Sequence, residues 1–308
     1  MSARLRIAQI GSGHGHAAGK WRALQANADV EAVVLVEPSD AAGMLADPSI
    51  VAVAVETRNH QSLAVAKMAV EAGKHVWFDK PAGDDFPAFA AVMRDAAARK
   101  LHVQMGYMFR YSPGFMQVTE AARSGELGDV FAVRAHMSTH VNLAERTEQS
   151  RHRGGILYDL GGHMLDQIVW LLGRPERVYT VLRNDATAEL PGYSDNTLAV
   201  LEYAHALVSL EIAAMAAPPT ARRFEVHGTL GSAVLEPFDG AQRVVRTQSG
   251  TQTAVQLPGV DRQVLYEREL AAFVGVVHGT RAPDRAPEHE LLVQETLLRA
   301  TGSLGNHA

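Results

Sequence analysis

Between Arg4 and Gly106 the chain alternates short apolar runs with longer stretches whose apolar residues recur at helical spacing, and no other feature limits its fold as strongly. The strand-like runs are "RLRIAQI", "VEAVVLVE", "SIVAVAVE", "KHVWF" and "LHVQMG"; three of the intervals between them hold "AAGKWRALQAN", "HQSLAVAKMAVEAG" and "FPAFAAVMRDAAARK". Strands joined by helix-length crossovers pair in parallel, so residues 1–110 are expected to form a parallel sheet between helices. One interval breaks the rhythm. Between Glu37 and Ile50 stands only "PSDAAGMLADPS", which has room for one short crossover and none for a helix, a strand and a second helix. In a doubly wound sheet ordered 3-2-1-4-5-6 the missing piece would be the edge strand beside the second. The spacing therefore predicts a Rossmann-like sheet shortened after strand 2, on the side that would wall an adenosine.

From about Asp129 the texture changes. Runs such as "DVFAVRAHMSTHV", "RVYTVLRND", "NTLAVLEYAH", "ALVSLEIAAM", "RRFEVHG" and "SAVLEP" read as strands divided by Gly, Pro and Asp turns, with helices near 155–172 and 262–279. Residues 111–308 are thus expected to form an α+β domain with a largely antiparallel sheet, the C-terminal helix being able to pack back on the first domain. A length of 308 residues, beyond the usual size of one core, agrees with two domains. With 47% apolar and 20% charged residues the chain has the balance of a globular protein. Twenty-nine basic against thirty-four acidic residues, in no block of one sign, give no footing for nucleic acid or an anionic membrane. The absence of cysteine removes disulfides and thiolate chemistry. No apolar run approaches the roughly 20 residues of a bilayer span, and the N-terminus reads straight into a strand, so a cytoplasmic protein is expected.

Three stretches carry candidate chemistry. In "IGSGHGHAAGK", Gly11 and Gly13 occupy the first two places of G-x-G-x-x-G, after a strand and before a helix. The first glycine permits a tight turn and the second lets backbone amides approach a pyrophosphate. His16 stands in the third place, where a small residue normally allows close packing; either Gly15 and Gly19 relieve the crowding or the helix begins further on. Glu37, ending the second strand, suits a ribose 2′-hydroxyl and repels a 2′-phosphate, which favours NAD over NADP. In "HVWFDKPAG", Lys80 follows a strand, at the end where ligands of parallel sheets bind, and its ammonium could polarise a carbonyl. In "GGILYDLGGHMLDQIVWLLG", Asp159, His163 and Asp166 fall at i, i+4 and i+7 on one helix face, so a carboxylate can steady an imidazole acting as general base. Asp and His at that spacing can also chelate, but no third ligand of matching spacing is apparent, and no metal is expected.

In this order, and with "ETRNHQSLAVAKMAVEAGKHVWFDKP", "GYMFRYSP", "FEVHGTLGSAVLEP" and the final "LLVQETLLRA", the chain resembles the glucose-fructose oxidoreductase, inositol dehydrogenase and rhizopine-catabolism family, Gfo/Idh/MocA. The resemblance implies NAD(P)-dependent oxidation of a secondary alcohol, or reduction of a ketone, on a sugar, cyclitol or related polyol. It places Lys80 beside the nicotinamide and Asp159 with His163 at substrate binding and proton transfer. On the cofactor side it adds Thr57, Asn59, His60 and Asp79 to Gly11, Gly13, His14, Gly15, His16 and Glu37. On the substrate side it adds Tyr107 and Arg110, and the loop "STHVNLAERTEQSRHRGG" with its flanks offers His136 and Asn142, besides His140, Arg146, His152 and Arg153.

The chain departs from the family pattern at Asp79, which replaces a glutamate, at "ETR" (Glu56 to Arg58), which would put charges on the cofactor rim, and in the shortened interval after Glu37. Two other functions fit the same residues: a redox-neutral enzyme that uses NAD while cleaving or eliminating, and a sensor or accessory protein that has lost catalysis. A sheet covered by helices on one side leaves its other face for a partner, so a homo-oligomer, dimer or tetramer, through the C-terminal sheet is expected.

Overall fold

The computed structural model describes residues 4–305. Along the chain lie β1 (Leu5–Ile10), α1 (Ala17–Ala26), β2 (Val30–Val36), α2 (Ala41–Leu45), β3 (Ala52–Val55), α3 (Asn59–Glu71), β4 (His75–Phe78), α4 (Phe86–Ala98) and β5 (Val103–Met105). After them come α5 (Pro113–Arg123), β6 (Val130–Met137), α6 (Leu143–Gln149), α7 (Ile156–Leu172), β7 (Arg177–Arg183), β8 (Asn196–Glu202) and β9 (Leu207–Ala213). The chain closes with β10 (Arg222–Gly228), β11 (Gly231–Leu235), β12 (Gln242–Gln248), β13 (Thr251–Leu257), α8 (Arg262–Val277) and α9 (Pro287–Ala300). Two compact units result: the chain up to Met108 with Arg262–Leu291, and Phe109–Asp261 with the chain from Leu292 onward. Helix α8 therefore belongs to the first unit and the hundred and more residues before it to the second.

In the first unit five parallel strands are ordered β2-β1-β3-β4-β5. β3 reads "AVAV" and is buried along its whole length, as a central strand between two helical layers must be. The crossover from β2 to β3 is a 3-10 turn at Pro38–Asp40 followed by the five residues of α2, so β2 is the terminal strand. This is the shortened sheet that the Glu37–Ile50 spacing predicts.

The second unit has an eight-stranded sheet ordered β13-β12-β11-β10-β6-β9-β8-β7, antiparallel except where β6 pairs with β9. Helices α5 and α7 pack on one of its faces. On β6 the alternation is regular: Val133, Ala135 and Met137 are buried, while Arg134 and His136 stand on the opposite pleat. Among the described residues no helix is long and apolar enough to cross a membrane.

Candidate functional site

β1 ends in Gly11, whose φ of +93° only glycine adopts freely, and whose missing Cβ would sit 2.7 Å from Thr57 Cγ2. Gly13 brings the backbone close to the next loop, since a Cβ there would lie 3.1 Å from Arg58 Cγ. Helix α1 begins at Ala17 with His16 as its N-cap, so the residue in the third glycine place lies outside the helix. The small residue that close packing requires is Gly19 instead. A Cβ on it would meet the Tyr266 ring at 2.5 Å, whereas one on Gly15 would meet nothing within 4 Å. Of the two ways to accommodate His16, Gly19 and the later helix start both operate, and Gly15 has no part.

Beneath this turn lies a set of buried charges that sequence reasoning did not assemble. Lys20 is fully buried, its Nζ 3.0 Å from Asp79 Oδ2, 3.1 Å from Glu56 Oε1 and 3.6 Å from Glu269 Oε2. The same ammonium lies 4.3 Å from the centre of the Trp77 ring. Asp79 also receives the Lys80 backbone N–H at 2.7 Å on Oδ1, and its Oδ2 lies 2.9 Å from His16 Nδ1 and 3.3 Å from His14 Nδ1. His14 Nδ1 accepts the His16 backbone N–H at 3.2 Å, and the His16 ring packs 5.3 Å from that of Tyr266. Glu56 is wholly buried on Lys20, which corrects the expectation of a charge on the cofactor rim.

Burial and neighbouring charges compete in the titration of this set. It lowers His16 to about 4 against the upward pull of Asp79. It also works against the Lys20 ammonium, but Asp79, Glu56 and Glu269 outweigh it and raise Lys20 above the ordinary lysine range. Burial lifts Glu56 well above the usual carboxylate range despite Lys20. Asp79, surrounded by His14, Lys20 and His16, is held well below that range although burial opposes it. The pattern places one firm negative charge, Asp79, under the turn.

The other cofactor-side residues take distinct places. Glu37 follows β2 and is exposed, and Ser12 Oγ donates to its Oε1 at 2.5 Å. Thr57 is buried against Gly11, Asn59 is half-buried as the first residue of α3, and His60 is exposed. Lys80 is buried two residues beyond the carboxyl end of β4. A cradle that a Cβ at Gly11 would fill, an acidic residue at the end of β2 and the N-terminus of α1 together fit NAD.

In the second unit α7 carries Asp159, His163 and Asp166. Asp159 Oδ2 receives a hydrogen bond of 2.9 Å from Gln149 Nε2, and the hydroxyl of buried Tyr193 donates to Gln149 Oε1. The amide is thereby oriented with its NH2 toward the carboxylate. Burial first, and then Asp159 and Asp195, push the Tyr193 hydroxyl above the ordinary tyrosine range, which keeps it a donor. Gln149 is the last residue of α6, shortly before α7, but no motif distinguishes it from its polar neighbours, and Tyr193 is distant in sequence from α7. His163 is buried, its ring 5.1 Å from that of Phe109 at 75°.

The structure places the other four substrate-side residues as follows. Arg110 is buried on Asp166, with Nε at 2.9 and 3.0 Å from the two carboxylate oxygens and Nη2 at 2.7 Å from Oδ1; its charge is spent inside the protein. Tyr107 is fully buried and belongs to the first unit's core. His136 shares a hydrogen bond of 2.8 Å with Ser138 Oγ and stands on the pleat opposite Val133 and Ala135, so it is not brought to α7. Asn142 is the N-cap of α6, its Oδ1 accepting the Glu145 N–H at 3.0 Å. Nearby, Arg146 is paired with Glu189 at 2.8 Å and His152 stacks on Tyr158 with ring centres 4.4 Å apart.

A family model described as "Oxidoreductase family, NAD-binding Rossmann fold" matches residues 7–107, and one described as "GFO/IDH/MocA C-terminal domain" matches residues 115–234. The chain is 31% identical over 208 residues to an uncharacterized oxidoreductase, YhhX, of Escherichia coli, the match covering 65% of this chain and 57% of that one. It is 30% identical over 220 residues to an inositol 2-dehydrogenase of Saccharopolyspora erythraea, covering 70% and 63%. The matches thus span little more than half the length of these relatives. Among solved structures, an aldose-aldose oxidoreductase from Caulobacter crescentus superposes with a TM-score of 0.83 at 19% identity, covering 97% of this chain and 98% of that one, which shows a shared fold.

Proposed function

The chain belongs to the Gfo/Idh/MocA oxidoreductase family and carries its NAD-binding Rossmann fold, and on that premise we propose that it oxidises a secondary alcohol, or reduces the ketone, of a sugar, cyclitol or related polyol. The observation that carries this reading is Lys80, buried at the carboxyl end of β4 in the same unit as the Gly11–Gly13 turn. A relative that is an inositol 2-dehydrogenase supports the substrate class. NAD supplies the hydride acceptor, or in reduction the donor. The Lys80 ammonium stabilises charge developing on the reacting oxygen. His163 takes the hydroxyl proton, and Asp159, oriented by Gln149, accepts a hydrogen bond from a substrate hydroxyl.

The test is a screen of sugars, cyclitols and sugar acids for NAD reduction, followed by Lys80→Ala and His163→Asn on the best substrate. Each variant is expected to lower kcat at least about 100-fold. Normal turnover in either removes that residue from the reaction. We further propose that a second copy of this chain covers the open face of the second unit's sheet. On that face Tyr179 pairs with Val200 and Val181 with Leu198, and Tyr179, Val181 and Leu207 are each about half exposed. Sizing chromatography at a single monomer mass would overturn this part.

A further inference from the structure

His14, His16 and Asp79 offer ligand atoms that all lie within 4.8 Å of one another. The separations involving Asp79 Oδ2 are 2.9 Å to His16 Nδ1 and 3.3 Å to His14 Nδ1. A cation held by imidazole nitrogen and carboxylate oxygen at about 2.1 Å keeps neighbouring ligand atoms about 3.0 Å apart at a right angle and about 3.4 Å at the tetrahedral angle. The two measured separations fall at or close to these values. The imidazoles stand nearly perpendicular, at 79° with ring centres 4.6 Å apart, so each turns a nitrogen to the same carboxylate oxygen.

Charge points the same way. Asp79, Glu56 and Glu269 surround the single ammonium of Lys20, and all four side chains are buried. Buried charges are paired or coordinate metals, and the two imidazoles supply lone pairs beside the one carboxylate oxygen, Asp79 Oδ2, that both of them face. Lys20 then acts as a hydrogen-bonding neighbour of the liganding carboxylate rather than as a rival for it, since outer partners of this kind orient metal ligands. The ion would displace the 3.2 Å contact from the His16 N–H to His14 Nδ1 and the 2.9 Å hydrogen bond between His16 Nδ1 and Asp79 Oδ2.

We propose that the turn after β1 holds a divalent transition cation of the zinc class on His14, His16 and Asp79, with at least one coordination position open. Two imidazoles and one carboxylate suit zinc, cobalt or nickel, whereas magnesium and calcium prefer oxygen alone. The site stands whether or not the redox reading is right.

The test uses the full, untagged chain, stripped with a chelator and titrated calorimetrically with Zn2+ and spectroscopically with Co2+. One equivalent of each is expected to bind, with visible Co2+ bands. His16→Ala and His14→Gln are each expected to weaken binding at least about tenfold while circular dichroism shows an intact fold. No binding below millimolar metal, or unchanged affinity in both variants, overturns the site. Should the variants unfold, diffraction at the zinc absorption edge from wild-type crystals soaked in Zn2+ decides: a peak among the three residues supports the site, and a peak elsewhere or none overturns it. NAD titration in parallel separates the two conclusions, because NAD binding without metal binding overturns only the cation, and the reverse only the redox reading.

Discussion

In the first unit one buried ammonium, Lys20, faces three carboxylates, whereas in the second a buried guanidinium, Arg110, holds Asp166 in bidentate geometry. A balanced pair of that kind contributes mainly by not being broken, and apolar residues of similar volume can often take its place without loss. A set in which one ammonium serves several carboxylates is harder to substitute, because removing Lys20 leaves Asp79 buried without its ammonium. Its persistence beneath a ligand-binding turn argues for use rather than for stability, since perturbed titration concentrates at functional sites. Asp159 shows a third arrangement: a carboxylate that accepts a hydrogen bond from Gln149, whose amide is fixed in turn by Tyr193.

Three substitutions test the contrast, in order of effect. Lys20→Met should destabilise the first unit by about 5 kcal/mol in guanidinium unfolding, the top of the range for a broken buried pair. Adding Asp79→Asn should recover little, because Glu56 and Glu269 remain; full recovery would show that the set is an ordinary ion pair. Arg110→Met alone should cost about 3 kcal/mol, while Arg110→Met with Asp166→Leu should return to within about 1 kcal/mol of the parent. A double variant as unstable as the single would erase the distinction between the units. Asn142→Ala should lose about 1 kcal/mol as the α6 cap goes, with KM unchanged. A raised KM would return Asn142 to the substrate side.

The sheet of the first unit was legible because apolar period and crossover length are local properties of sequence, and the dozen residues after Glu37 predicted the missing edge strand. The hairpin of β12 and β13 was missed although its signal was present. "QSGT" places Ser249 and Gly250 at φ +48° and +78°, the turn geometry that a Ser-Gly pair between alternating residues allows. Within the candidate site, Gly11, Gly13, Glu37 and Lys80 are expected from the sequence because each stands at or just beyond a strand end, a position that is read locally. Lys20, Glu56 and Glu269 are not, since nothing local distinguishes a lysine in the second turn of a helix from a solvated one. Arg110 and Asn142 show a related limit: a polar side chain in a suggestive segment can bind a neighbour, and only the fold names the neighbour.

The brief crossover behind Glu37 bears on time as well as on shape. With β2 as the outermost strand, a dinucleotide seated on the Gly11 turn would have only the short α2 crossover, and no further strand, on its adenosine side. Such an uneven grip acts mainly on escape, because differences among related complexes reside chiefly in the dissociation rate. Short residence suits a cofactor that arrives and leaves with every turnover, drawn from the common pool, over one carried permanently from one reaction to the next.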